Sequence, residues 1–107
     1  MGNIEQEIKK LQDKNQEIKE LQTIHCNKKA DLSELEANLY LFGEEKVKEA
    51  LGKEKVSQKD KEYFVQLKTL KLVREVDTAY LNYKYAQEEF KILKMKFRAE
   101  HGELPSL

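Results

Sequence analysis

The sequence predicts an all-α protein: a long antiparallel helical hairpin, coiled-coil-like, with a short connecting helix, expected to form a homodimer that completes a helical bundle. Three observations carry that expectation. Only one Pro and four Gly occur in 107 residues, so residues that favour turns are scarce. Charged residues make up 37% of the chain, and the Lys and Glu that dominate them are straight-chain helix formers. Apolar residues recur in alternating steps of three and four, the spacing of a helix that packs lengthwise on another. That regularity, with a net charge of zero, separates the chain from a disordered Lys/Glu-rich segment. At this length one domain is expected, spanning residues 1–107.

The first long helix is expected over about residues 3–42, a stretch without Pro or Gly. One heptad track runs through Ile4, Leu11, Ile18, His25, Leu32 and Leu39. A second begins polar with Glu7 and Lys14, then continues through Leu21, Lys28, Leu35 and Phe42. Asp31, Ser33 and Glu34 offer the chemistry of a helix restart, so a kink or break near 27–31 is the alternative to one continuous rod. Gly43 and Gly52 then bracket a short helix over about 44–51, in which Glu44 and Lys48 stand at a supporting spacing. Ser57 and Asp60 match a capping box with Asp in place of Glu, which starts the second long helix at about 58.

That helix, over about 58–101, carries the most regular pattern in the chain. Val65, Thr69, Leu72, Val76, Ala79, Tyr83, Ala86, Phe90, Leu93 and Phe97 follow steps of four and three without a gap, and Thr69 alone is polar. A repeat held this long implies a facing helix at a shallow crossing angle. Ala79 and Ala86 allow close approach, while Tyr83 and Phe90 fill the space beside them. Gly102 suits the position just past the helix end, and a short tail follows.

Charge and composition narrow the functional classes. Residues 1–42 carry 6 basic and 8 acidic side chains, 43–57 carry 4 and 4, and 58–107 carry 10 and 8, so no segment is a strong electrostatic attractor. Nucleic-acid binding, which draws on clustered Lys and Arg, is therefore not the leading expectation. The longest apolar run, Leu39 to Phe42, is far short of the roughly 20 residues that span a bilayer. No membrane association and a cytoplasmic location are expected, and the lone Cys26, which has no internal disulfide partner, agrees with a reducing compartment.

Constellations that carry catalysis are not found: there is no Gly-rich phosphate loop, no paired Cys motif and no His-Glu-x-x-His. His25 lies on the helix stripe beside Cys26, but adjacent helical residues diverge by about 100° and chelate one ion poorly. His25 is read as a register-setting polar residue, and His101 beside Gly102 as a poor ligand. Glu75, Glu88 and Glu89 alternate with lysines and read as a solvated surface. No catalytic residue, metal or cofactor is assigned, and the chain is expected not to be an enzyme.

The feature that points outward is a second apolar track on the last helix: Leu67, Leu81, Tyr85, Ile92 and Met95, opposite the main seam. These residues are expected to meet a second copy or a protein partner. The leading expectation is thus a small interaction protein, a regulator or inhibitor of a protein partner, such as an accessory protein of a bacterium or mobile element or a phage-encoded inhibitor of host defence. Two alternatives stand beside it. One is a nucleic-acid-associated accessory protein using Lys59, Lys61, Lys68, Lys71 and Arg74, among which Asp60, Glu62 and Glu75 are interspersed; the other is a structural oligomerisation subunit.

Overall fold

The computed structural model describes residues 3–107 as three helices: α1 (Ile4–Phe42), α2 (Glu44–Leu51) and α3 (Gln58–His101). There is no strand among the described residues. α1 passes through 27–31 without interruption. Asp31 and Ser33 stay exposed on its surface and cap no restart, while Lys28 faces α3.

The turns follow from local chemistry. Gly43 is buried, and its N–H donates to the Leu39 carbonyl at 3.0 Å. A Cβ at this position would collide with that carbonyl oxygen, so glycine is required by close approach. Gly52 closes α2 in the left-handed conformation at φ 64°, its N–H donating to the Lys48 carbonyl. At the start of α3 the capping box forms in both directions. The Asp60 N–H donates to Ser57 Oγ at 3.1 Å, and the Ser57 N–H donates to the Asp60 carboxylate at 3.1 Å. These hydrogen bonds and the Lys53 ammonium, at 3.1 Å, hold the Asp60 carboxyl below its ordinary range, with the Ser57 backbone bond the largest cause.

The chain packs as two compact units, each with its own pairing of α1 and α3. The first comprises the described residues up to His25 with Thr78–Leu107, and the second is Cys26–Asp77. In the first unit the contacts run in opposite order along the two segments, which makes them antiparallel: Glu7 meets His101, Lys14 reaches Glu89, and the His25 ring packs on Tyr80 at 5.3 Å. Its buried apolar residues are Leu11 from α1 and Ala79, Ala86 and Phe97 from α3. Tyr83, Phe90 and Leu93 are half-buried beside them. The Tyr83 hydroxyl accepts a hydrogen bond from Gln87 Nε2 at 2.8 Å.

In the second unit Lys28 pairs with Glu75, and farther along α1 Glu36 and Tyr40 share a groove with Val65, Gln66 and Thr69 of α3, so this pairing is antiparallel too. Val47 of α2, Phe64 and Val65 are buried. Thr69 is also buried, and its hydroxyl donates to the Val65 carbonyl at 2.7 Å, which satisfies the one polar member of the α3 seam within its own helix.

The ten seam positions of α3 are all buried or half-buried. The α1 tracks agree except at their ends. Phe42, expected on the seam, is 77% exposed, because α1 turns into α2 at the next residue and Val47 is the side chain buried there. Ile4, in the first turn of α1, is likewise exposed.

The seam assignment has a measurable consequence. Ala86→Leu, at a position 2% exposed, is expected to destabilise the fold by about 1–3 kcal/mol through overpacking. Leu81→Ala on the exposed side should change stability by less than about 0.5 kcal/mol. Urea midpoints followed by circular dichroism give both values, and equal effects would show that the assigned register is wrong. By the same measurement Ser57→Ala, which removes the α3 cap, should cost about 1 kcal/mol.

Candidate functional site

Two arrangements in the first unit stand out once its helices are paired. The first is the exposed side of α3. Leu81 (55% exposed), Tyr85 (70%), Ile92 (52%) and Met95 (65%) lie along it, opposite the residues that α1 covers. Large apolar side chains scattered singly on a surface need no explanation, but here four share one helix face, interrupted between Tyr85 and Ile92 by Glu88. Leu67, expected to continue this track, belongs to the second unit and is 55% exposed there. Within that unit Tyr63 and Leu70 are exposed at helical spacing from Leu67, a smaller apolar group that the sequence reading did not single out.

The second arrangement joins the ends of the two helices of the first unit. His101 Nε2 lies 2.6 Å from Glu7 Oε2 and 3.6 Å from Glu100 Oε2. The His101 ring is held by Phe97, with ring centroids 4.6 Å apart. The hydrogen bond from His101, then that with Glu100, holds the Glu7 carboxyl below its ordinary value of 4.5 against a smaller opposing effect of desolvation. Donor atoms of Glu7, Glu100 and His101 all lie within 4.8 Å of one another, which is close enough for a shared cation. The direct Glu7–His101 hydrogen bond accounts for this convergence without one. A small cleft of about 180 Å³ opens nearby, bordered by Leu11, Leu93 and Phe97.

The polar residues that interrupt the α1 tracks find partners across the helix pairs. Glu7 meets His101, Lys14 reaches Glu89 at 3.1 Å, and in the second unit Lys28 reaches Glu75 at 3.4 Å. Lys14 also bonds Glu17 at 2.7 Å, and these two contacts, Glu17 foremost, raise its pKa. Glu75 and Glu89, read from sequence as solvated, are therefore engaged with α1. The signal that could have found them is the set of charged residues at α1 seam positions, each needing an opposite charge on the facing helix. The His25 ring packs against Tyr80 of α3 at 5.3 Å.

The basic residues of the second unit are only partly gathered. Lys61, Lys68 and Lys71 fall within an arc of about 80° on α3, whereas Arg74 is turned about 140° from Lys61 and Lys59 about 160°. Lys61 is half-buried, Lys68 sits over the Phe64 ring at 5.5 Å, and Glu75 lies one heptad from Lys68 in the same stripe. Cys26 is exposed and free. Among the described residues, no helix is long and apolar enough to cross a membrane.

Compared with known proteins, the chain matches no family model, no curated protein and no solved structure. Its exposed surfaces therefore have to be read from their own chemistry.

The Glu7 contact makes stability depend on pH with a defined sign. Because the folded-state pKa is depressed, the stabilisation is fully present above the unfolded value near 4.5 and is lost as pH falls through the lower folded value. Melting temperatures of the parent chain should therefore fall more steeply below that pH than those of Glu7→Gln. Parallel profiles for the two proteins would mean that the contact is not maintained in solution.

Proposed function

We propose that this chain is a non-enzymatic protein-interaction module, a small regulator or inhibitor that engages a protein through the exposed apolar side of α3. The observation that carries the reading is the exposure of Leu81, Tyr85, Ile92 and Met95 along one helix face. An apolar side chain of this size gains roughly 1.5–3 kcal/mol on full burial, so four of them offer a substantial driving force for association. Nothing in the fold of the first unit uses them. Their spacing supports capture of a helix, since side chains three and four apart dock into a facing helix as a row. Either a second copy or a different protein would supply the missing cover; in the first case the chain is a homodimer that completes a bundle.

A nucleic-acid-associated role rests on Lys61, Lys68, Lys71 and Arg74, which are spread over an arc of about 140° on α3. It is the weaker reading, because four charges give limited counterion release and Glu75 interrupts the stripe. An oligomerisation subunit is the limiting case of the first reading, with a copy as the only partner.

The test separates the two faces of α3. Tyr85→Asp and Ile92→Asp should retain the parent helicity while abolishing association. Phe90→Asp, on the half-buried seam, should unfold or loosen the first unit. Circular dichroism reads helicity, and light scattering of the chain alone and mixed with an amphipathic helix reads association with a copy and with a different partner. Loss of helicity in Tyr85→Asp would assign this face to the core and overturn the proposal.

A further inference from the structure

The chemistry bordering the exposed face points to one kind of occupant. On α3, Thr78, Leu81, Tyr85, Glu88, Ile92, Met95 and Ala99 follow steps of three and four without a gap, and all seven are exposed. The helix of the first unit therefore carries two heptad seams: one covered by α1 through Ala79, Ala86 and Phe97, and one open. A seven-residue period keeps a stripe aimed at a neighbouring helix, whereas an isolated straight helix drifts about 20° per heptad.

With the open seam taken as the a and d positions, the g positions bordering it are Asp77, Lys84, Lys91 and Arg98, and the e positions are Asn82, Glu89 and Lys96. Glu89 is already engaged by Lys14 at 3.1 Å. Lys91 has only a long contact of 3.6 Å with Glu88, and Lys84, Lys96 and Arg98 form no ion pair among the described residues. Lys84 rests over the Tyr80 ring at 5.5 Å, a contact that leaves its charge without a counterion. The open seam is thus bordered by four basic side chains, with Asp77 at its N-terminal edge and Glu89 engaged by Lys14, while Glu88 stands at a seam position in long contact with Lys91.

From this arrangement we infer that the open face of α3 binds an amphipathic helix of a different protein, one with apolar heptads and acidic flanking positions. The inference rests on the interaction reading above and narrows the partner. A second copy fits poorly. In an antiparallel α3 pair, g positions face g positions, so Lys84 and Lys91 would meet like charges, and only Asp77 could offer Arg98 an opposite one. A parallel in-register pair would set Glu88 against its own copy and Lys91 against Lys96, and the one opposite-charge pair, Lys84 with Glu89, would compete with Lys14 for that carboxylate. Such like-charge juxtapositions oppose self-association, while acidic flanks on a foreign helix meet basic side chains at Lys84, Lys91 and Arg98.

Two synthetic helices of four heptads provide the test, both with Leu at a and d, one with Glu and the other with Lys at e and g. Each is dye-labelled and titrated with the full chain at low salt. The acidic helix should bind at least about tenfold more tightly than the basic one, and added salt should shrink that ratio. The triple variant Lys84→Glu, Lys91→Glu, Arg98→Glu, whose changes are all at exposed positions, should invert the preference. Tyr85→Asp should abolish binding of both helices. Equal binding of the two helices would overturn the charge inference and leave the interaction reading standing. So would a dimer of the chain itself that Tyr85→Asp dissociates, because the occupant would then be a second copy. Binding to vesicles containing anionic lipid, with neither helix bound, would assign the face to a lipid surface instead. Failure of both helices to bind, in a chain that is monomeric and indifferent to Tyr85→Asp, would remove the interaction reading together with this inference.

Discussion

Everything in this protein depends on side chains interlocking along the α3 seam. Backbone hydrogen bonds are satisfied inside each helix, so nothing in the backbone itself holds one helix against another. That task falls to the seam. In the first unit the small Ala79 and Ala86 are buried on the seam, and Leu11 of α1 and Phe97 are buried with them. In the second unit Val65 and Thr69 take the corresponding positions, and the Thr69 hydroxyl is accommodated because it bonds within its own helix. α2 adds one buried anchor, Val47.

On α1 the matching stripe is much less apolar, and the pattern of ion pairs reflects that. Glu7, Lys14 and Lys28 occupy positions where a strongly buried seam would carry Leu or Ile, and each reaches an opposite or protonatable partner on α3. Exposed pairs of this kind contribute little stability, about 0–1 kcal/mol each. Their value lies in alignment: sliding α1 along α3 within a unit would strand these charges against apolar residues. The helix pairs are therefore apolar on one side and partly electrostatic on the other, and the polar contribution specifies register more than it adds stability.

α3 differs from α1 in having apolar residues on two opposite sides. A helix patterned in this way is ordinarily the middle layer of a larger assembly, with each seam covered by a neighbour. In the first unit α1 covers one seam and nothing in the unit covers the other. Lys84, Lys91, Lys96 and Arg98 border that open side, which gives it a chemical character beyond hydrophobicity and bears on which helices can approach it.

Much of this was legible in the residues alone. A long run free of Pro and Gly, the glycines at 43 and 52, and the reciprocal pair of Ser57 and Asp60 placed helix and turn, because those signals act within a few residues of each other. The ten-position repeat of α3 determined which side of that helix is buried, and the second track identified the residues left over. What sequence could not decide was pairing. Whether Lys14 meets Glu89 or water, whether His101 lies beside Glu7, whether Phe42 is covered and whether α1 breaks near 27–31 all depend on where a distant segment lies, and a heptad pattern is compatible with many alignments. Only the tertiary structure set those contacts, since long-range register arises when two seams interlock and their polar interruptions find one another in space.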